Sequence, residues 1–567
     1  MFLKFWQGKS NKQKDLIVIL LLIAIGVILY CFKMGALSLT EPDEVFYAQT
    51  AKEMLQRHTW SVPYIFGQPQ FEKPILYYFL LAAGFKLLGI GAATARIWSA
   101  LFGILGMVLT YLLGKAIYNR GTGFIAALVL ATSFEYLSLS RAVLTDIVFS
   151  NLLLACLFSF YFGYLSPEKR TPWFLLSFAF SALATLTKGP IGIILPLFIM
   201  FGFLLLRKEL KIFFGKEIFQ GIIIFVLVAL PWYWWIYGKF GQQFINEFFI
   251  RDNISRFFFV AEHINNDTWY YYVLTALGGF LPWSQFLVLG LVKLRWRQSV
   301  LTDEGKGILF LVCWVAVIFI FFSLAKSKLI SYVFPIFPAL AIVTGNYLYQ
   351  VFLKQKEAEV RLARGFVSGT LILVLLFCAG SIGGWYYNKT AHYLSDRLAL
   401  IPFYSLGLPA VVAFLLSLLK RYQESFALII LAIMSFLIAV GTTSFTKYLD
   451  PWVSSRESAE ILRNYWSGEE AEVLLCNKSF ARGLLYYAGL PVVVMDSSPN
   501  PFFAPHPITI LHEDKEILQY LLSRPVTYCV VKKSNFETLE SLAQEHLYLT
   551  TIYREKGRYI LKIKPKS

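Results

Sequence analysis

Residues 16–32 (LIVILLLIAIGVILYCF) and residues 40–55 (TEPDEVFYAQTAKEML) decide the organisation of this chain. The first stretch is apolar and long enough to cross the hydrocarbon core of a bilayer. A basic segment precedes it, Lys33 follows it, and there is no small-residue cleavage site. We therefore expect an uncleaved first membrane span rather than a signal peptide.

The composition extends this interpretation to the whole chain. Of 567 residues, 57% are hydrophobic and only 15% are charged, and the mean hydropathy is +0.59. A soluble domain could not shield so much apolar surface from water, so the sequence predicts a polytopic membrane protein. The formal charge of +17 lies mainly in short loops between apolar runs. This pattern indicates membrane topology rather than nucleic-acid binding.

The apolar runs predict about thirteen transmembrane helices. They begin near residues 16, 94, 121, 146, 172, 190, 217, 270, 307, 329, 364, 400 and 424. A further short run, 75–90, is expected to be a re-entrant or interface helix, because only then do the basic loops all fall on one side. This places the N-terminus in the cytoplasm and the C-terminus outside.

The chain is expected to have two domains. Residues 1–442 form the transmembrane domain, including the first outside loop, 33–93. In residues 443–567, short β-rich runs alternate with helix-like stretches, which predicts a small α/β domain on the outer side. The six cysteines show neither metal-site nor disulfide spacing.

Asp43 and Glu44 stand at the start of a helical pattern in the first outside loop. They could simply form an acidic first turn favoured by the helix dipole. However, carboxylates directly after a span are costly at the bilayer surface, which favours a functional role. Asp146 poses the same choice: it could form an ion pair with Arg141 or be a charge at a helix N-terminus, or it could be a second functional acid.

Basic residues accumulate on the same predicted outer side. Lys73 could extend from a helix end toward the interface or neutralise a phosphate. Lys188 lies in a turn, and Lys328 stands at a helix entry where the usual charge bias disfavours it. Arg251 and Arg256 are five residues apart and are not expected to share one face of an α-helix. Together these residues predict a site for an anionic lipid headgroup.

Seven stretches, in this order, resemble the GT-C glycosyltransferases that use lipid-phosphate-linked sugars. The resemblance is to the lipid A aminoarabinose transferases, within the protein O-mannosyltransferase superfamily. The stretches are PDEVFYAQTAKEML, FEKPILYY, SRAVLTDIVFS, LATLTKGPIGIILP, NEFFIRDNISRF, TWYYYVLTALGGFLPWS and SKLISYVFPIFPALA, between residue 42 and residue 341. Each is weak alone, but their shared order is specific.

The resemblance implies roles for individual residues. Asp43 would be the principal catalytic carboxylate, with Glu44 beside it and Asp146 as a second acid. Lys73, Arg256 and Tyr332 would hold the donor phosphate. Lys188, Arg251 and Lys328, chosen from the charge pattern rather than from the resemblance, are assigned to the same site. Glu72 and His263 could hold a divalent metal (zinc, magnesium or manganese).

The implied reaction is inverting transfer of 4-amino-4-deoxy-L-arabinose, or a related sugar, from undecaprenyl phosphate to lipid A or another envelope acceptor. It would occur at the periplasmic face of a bacterial inner membrane, among membrane lipids and without nucleic acid. One departure concerns specificity: the aminoarabinose transferases usually carry Arg two residues after the Asp-Glu pair, where this chain has Phe46.

Alternatives remain open at this point. A related enzyme could move mannose, galacturonic acid or galactosamine onto core sugar or protein. A transporter of lipid-linked sugars is disfavoured because the sequence has no internal repeat and its notable charges lie at span ends. A structural scaffold would leave the one-sided acids and bases unexplained.

Overall fold

A computed structural model describes residues 10–259, 270–293, 303–353, 360–391, 400–440, 449–465, 473–496, 508–555 and 557–566. The chain divides into two compact units. The first comprises Met1–Met34, Glu72–Tyr77 and Arg96–Thr442, and the second Gly35–Phe71, Tyr78–Ala95 and Thr443–Ser567. Most of loop 33–93, which the sequence grouped with the transmembrane part, therefore belongs to the unit that contains the C-terminal residues.

Long apolar helices build the first unit. Its helical segments are Asn11–Gly26 (continued by Val27–Cys31), Ala92–Ile117, Arg120–Ala131, Phe134–Ser140, Thr145–Leu165, Pro167–Lys169, Arg170–Lys188, Ile191–Leu206, Leu210–Ile212, Lys216–Phe244, Ile245–Ser255, Arg256–Phe258, Tyr271–Gly279, Ser284–Lys293, Asp303–Leu324, Ile330–Ile336, Phe337–Leu353, Val360–Ala391, Phe403–Gly407, Leu408–Leu418 and Tyr422–Val440. Every predicted span start falls at or near the start of one of these segments.

Within the described residues, 7 helices are long and apolar enough to cross a membrane, or up to 9 if each sharply bent pair counts as one span. This supports a multi-pass membrane protein, although the count of thirteen stays a prediction. Helix Ile75–Leu88 has 14 residues and is classed with the shorter apolar helices. At about 1.5 Å per residue it extends roughly 21 Å, short of a hydrocarbon core of about 30 Å.

Helix Thr145–Leu165 lies at the centre of the first unit, since 94% of its 18-residue apolar stretch is buried. Its neighbour Arg170–Lys188 ends at Gly189, whose φ of 91° favours glycine at a helix C-terminus. The chain then reverses into Ile191–Leu206, and a Cβ on Gly192 would lie 2.3 Å from the backbone nitrogen of Thr185. This tight turn fixes the position of Lys188.

The second unit contains the helix Asp43–Gln56 and a small hairpin, β1 (Tyr64–Ile65) and β2 (Gln68–Pro69). Glu53 ties the helix to the hairpin turn, because its carboxylate accepts hydrogen bonds from the backbone nitrogens of Phe66 (3.0 Å) and Gly67 (2.9 Å). The side chain of Glu53 thereby fixes the position of the hairpin turn relative to the helix.

The same unit contains a six-stranded mixed sheet. Its strands are β3 (Leu474–Asn477), β4 (Val492–Met495), β5 (Ile510–Leu511), β6 (Thr527–Lys532), β7 (Leu547–Glu555) and β8 (Arg558–Pro565). They lie in the order β5-β4-β3-β6-β8-β7, with parallel pairing among β5, β4, β3 and β6 and antiparallel pairing of β8 with β6 and β7.

Alternating side chains give this sheet two buried faces. Leu474 and Val494 pack in a cluster with the helices Arg456–Tyr465 and Ala481–Ala488. Leu475 and Val493 pack in another with Asp514–Leu522 and Lys533–His546. The result is a layer of helices on each side of the sheet, typical of an α/β fold.

Candidate active site

The predicted acidic pair lies in the first turn of helix Asp43–Gln56, in the second unit. Asp43 is exposed at the helix N-terminus. Glu44 is 3% exposed, and its Oε2 accepts hydrogen bonds from the backbone nitrogen (2.9 Å) and hydroxyl (3.0 Å) of Thr40. Glu44 thus stabilises the start of the helix, which leaves Asp43 as the member of the pair that faces outward.

A cation-rich pocket of about 90 Å³ lies in the first unit. The polar residues that line it are Glu72, Lys73, Lys188, Asp252, Asn253, Arg256, Ser327 and Tyr332. The structure thus brings together four residues that the sequence analysis placed at the donor phosphate. Arg251 and Lys328, predicted for the same site, are not among the lining residues.

Lys73 differs from Lys188 and Arg256, the other two basic residues of this pocket, in having no ion pair within the part of the chain that the structure describes. It is half-buried, and its Nζ donates a hydrogen bond to the backbone oxygen of Glu72 (3.2 Å). Burial lowers the pKa of Lys73 below its usual range; the nearby charge of Arg256 acts in the same direction, whereas Glu72 opposes it. An anion would find an available positive charge here.

Lys188, by contrast, is paired. Its Nζ lies 2.7 Å from Oδ1 of Asp146, and both side chains are largely buried. The sequence also left open an ion pair of Asp146 with Arg141. The structure contradicts that option, because Arg141 donates instead to the backbone oxygens of Leu29 (2.8 Å) and Phe32 (2.9 Å). The ammonium group lies 5.4 Å from the ring centroid of Tyr332, and Asp146 thus holds Lys188 in place at the pocket wall.

Arg251 and Arg256 do share a face, contrary to the expectation from α-helical spacing. Residues Ile245–Ser255 form a π-helix, and the backbone nitrogen of Arg256 donates to the oxygen of Arg251, five residues earlier. In this geometry residues five apart are adjacent. Asp252, only 1% exposed at its side chain, pairs with both arginines at 2.9 Å and 3.2 Å.

The turn that precedes Tyr332 is fastened to the same segment. The backbone nitrogens of Lys326 and Ser327 donate to the oxygens of Phe257 (2.9 Å) and Arg256 (3.1 Å). Lys328 is 7% exposed and continues this turn. The backbone bonds therefore fix Arg256 and Tyr332 relative to each other.

A metal role for Glu72 and His263 stays a prediction. His263 lies outside the described residues. In the part of the chain that the structure describes, no three His, Cys, Asp or Glu side chains are grouped as metal ligands. Glu72 lines a pocket with one further carboxylate, Asp252, and three basic side chains, and this excess of bases suits an anion better than a divalent cation.

Sequence reasoning missed two residues. Asp252 was quoted within the motif NEFFIRDNISRF but received no role, although an acid between two arginines was a usable signal. Glu41 was also passed over. In the second unit its Oε1 accepts a hydrogen bond from Ser455 (2.7 Å), and burial raises its pKa to about 7.

Comparison with known proteins shows which family and which solved structures this chain resembles. The Dolichyl-phosphate-mannose-protein mannosyltransferase family matches residues 16–242. An uncharacterised protein of Aquifex aeolicus is 31% identical over 367 residues, covering 64% of this chain and 79% of that protein. The fold is similar to that of ArnT from Cupriavidus metallidurans bound to undecaprenyl phosphate, with a TM-score of 0.74, 19% identity, and coverage of 96% of this chain and 97% of that one.

The chain therefore belongs to the GT-C glycosyltransferases, membrane enzymes whose sugar donors are linked to a lipid phosphate. Among named relatives it is similar to the undecaprenyl phosphate-alpha-4-amino-4-deoxy-L-arabinose arabinosyl transferase 1 of Pseudomonas fluorescens. The two are 31% identical over 336 residues, which cover 58% of this chain and 59% of that enzyme.

Proposed function

We propose that this enzyme transfers 4-amino-4-deoxy-L-arabinose, or a related sugar, from undecaprenyl phosphate to lipid A or a related envelope acceptor. The site would face the periplasm from a bacterial inner membrane, with the N-terminus in the cytoplasm and the α/β region outside. The observation that carries the proposal is the pocket in which Lys73, without an ion pair among the described residues, lies with Arg256 and Tyr332. Relatives named as arabinosyl transferases support the choice of sugar.

The pocket's charges suit the leaving group. When the bond between the sugar C1 and the phosphate oxygen breaks, its electron pair stays on that oxygen and adds negative charge to the phosphate. Fixed cations stabilise this charge most when they are already oriented and poorly hydrated. The half-buried ammonium of Lys73 and the guanidinium of Arg256, oriented by Asp252, meet this requirement.

Lys188 would add a third positive charge at the same phosphate. The ion pair with Asp146 keeps Lys188 at the pocket wall. The carboxylate also offsets part of the positive potential that Lys188 would otherwise contribute. We assign Asp146 the part of positioning Lys188, beside the earlier prediction of a second acid. The hydroxyl of Tyr332 could donate a hydrogen bond to a phosphate oxygen.

Asp43 is proposed as the carboxylate at the acceptor. For a hydroxyl acceptor, the acceptor oxygen bonds to C1 as the donor bond breaks, and the hydroxyl proton passes to Asp43. The carboxylate would also stabilise the positive charge that develops at C1. If the acceptor is an ionised lipid A phosphate, no proton needs removal and positioning dominates. Single displacement inverts the anomeric centre.

A second candidate is mannosyl transfer to protein or core sugar. The match to the mannosyltransferase family over residues 16–242 favours it, and Phe46 weakens the case for aminoarabinose. Both candidates use the same donor-phosphate chemistry, so they differ in sugar and acceptor only.

The test is transfer by the purified full-length protein, supplied with undecaprenyl-phosphate aminoarabinose and lipid A or with polyprenyl-phosphate mannose and peptide. Asp43→Asn and Lys73→Ala should lose transfer, whereas Lys169→Ala, a substitution of an exposed lysine, should keep it. Transfer of mannose alone would select the second candidate. Failure with every donor, despite binding of undecaprenyl phosphate, would overturn the proposed reaction.

A further inference from the structure

A second, larger cavity of about 610 Å³ lies in the first unit, away from the residues discussed so far. It is formed where helices Ala92–Ile117 and Thr145–Leu165 end and helix Arg170–Lys188 begins. None of the residues proposed for the donor phosphate lines it. The loops that form it are among the basic loops that the sequence assigns to the cytoplasm.

The charge of this cavity is dominated by bases. Arg170 and Lys306 line it together with one acid, Glu209. Glu209 already has a basic neighbour, since its Oε1 lies 3.5 Å from Nη2 of Arg207. The cavity therefore presents net positive charge to whatever enters it.

Arg170 is partly buried, which is unusual for a basic loop residue that serves only to set membrane topology. Its Nε is buried and has no hydrogen-bond acceptor within the part of the chain described, and it forms no ion pair there. The adjacent Lys169 is exposed, as the positive-inside rule alone would predict for both residues. A buried N–H group without an acceptor costs free energy, so the position favours an external acceptor.

The other walls are apolar and aromatic. Ile117 and Leu165 line the cavity at the ends of two spans, and Tyr118, Tyr161 and Tyr164 lie beside them. Tyrosine rings are favoured at the depth of lipid headgroups, where one edge is wet and the rest is apolar. A ligand for this cavity should thus be both anionic and partly apolar.

We propose that this cavity binds the phosphate headgroup of an anionic membrane phospholipid. The planar guanidinium of Arg170 presents paired N–H donors to phosphate oxygens, and Lys306 adds a second charge. The first carbons of the acyl chains would lie along Ile117 and Leu165. Basic pockets between transmembrane helices on the cytoplasmic side are known to bind such headgroups. This site is independent of the proposed sugar transfer.

The test uses native mass spectrometry of the full-length protein with cardiolipin, phosphatidylglycerol or phosphatidylcholine. The variant Arg170→Gln/Lys306→Gln removes both cavity bases. Lys169→Gln/Lys208→Gln removes two exposed bases from the same group of loops, at the same cost in net charge. We expect cardiolipin to bind the cavity variant about fivefold or more weakly, the size expected for a basic residue at a charged membrane surface, and the control as the wild type.

Several outcomes would contradict this site. Equal weakening in both double variants would mean diffuse charge attraction, and equal binding of phosphatidylcholine would remove the headgroup preference. Displacement of cardiolipin by millimolar inorganic phosphate would identify a free-phosphate site instead. If the double variant does not fold, Lys306→Gln alone should weaken cardiolipin binding, and unchanged affinity there would overturn the proposal.

Discussion

The carboxylate of Asp252 lies 3.2 Å from the guanidinium of Arg256, and the two residues stand on either side of the end of a π-helix. The same carboxylate also pairs with Arg251 at 2.9 Å. One buried acid thus orients two bases, one of which lines the donor-phosphate pocket.

Replacing Asp252 with Asn should therefore impair the pocket indirectly. The shape is kept, but Arg256 loses its charged partner and its fixed orientation. We expect transfer to fall at least about tenfold, equivalent to about 1.4 kcal/mol, with a rise in the KM for the donor. Steady-state kinetics against donor concentration would measure this.

Glu247→Gln is the matched control for Asp252→Asn. It removes the same charge from the same segment, but Glu247 is 4.0 Å from Arg251 and more exposed, so its ion pair is weak. Equal losses in the two variants would argue against a specific role of Asp252.

Lys73 should give the enzyme a distinctive pH profile. Burial lowers the pKa of Lys73, so its ammonium form is lost as the pH rises through a value below that of an ordinary lysine. Transfer should decline on the alkaline side accordingly. Lys73→Arg should shift that decline to higher pH, because arginine stays charged. An identical alkaline limb in the variant would exclude Lys73 as its origin.

Glu41 should make the second unit less stable at higher pH. Its pKa in the folded protein is about 7, above the usual value of 4.5, so the folded state binds more protons than the unfolded state between these values. The free energy of unfolding should fall as the pH rises through this window, by about 1.4 kcal/mol per pKa unit. Thermal unfolding at pH 5 and pH 8 would measure this.

Glu41→Gln should flatten that dependence and raise the Tm at pH 8 relative to wild type. The control is Glu460→Gln, which neutralises an exposed carboxylate of the same unit. A wild-type Tm that rises with pH across this window would reverse the predicted sign.

Asp43→Asn should separate chemistry from folding. Because Asp43 is exposed at a helix N-terminus, its replacement should leave the Tm within a degree or two, an effect of well under about 1 kcal/mol. Transfer to a hydroxyl acceptor should nevertheless be lost, while binding of undecaprenyl phosphate persists. Full activity in this variant would remove Asp43 from the reaction.

The sequence predicted the elements better than their spatial relations. The apolar runs and the basic loops between them predicted where the spans begin, because hydropathy and charge are local properties of the sequence. The β-rich runs expected after residue 443 include those that form β3 and β6, because strand propensity is also a local signal. Lys73 and Tyr332 are far apart in the chain, and only the resemblance to a family predicted that both would hold the donor phosphate.

Other relations could not be predicted from spacing. The pairing of Asp146 with Lys188 joins two helices, and nothing local favours it over the nearer Arg141. The faces of Arg251 and Arg256 were misjudged because no simple pattern distinguishes a π-helix from an α-helix. The catalytic role of Asp43 and the metal role of His263 remain predictions.

The π-helical segment Ile245–Ser255 has a consequence for the backbone conformations that this chain tolerates there. Five residues of α-helix rotate the chain by about 500°, so an α-helix of the same length would turn Arg256 about 140° away from Arg251. The hydrogen bonds from the 326–327 turn to Arg256 and Phe257 would then be out of register. The wider winding thus sets the register of the segment, so a substitution that returns it to an α-helix should be more harmful than most.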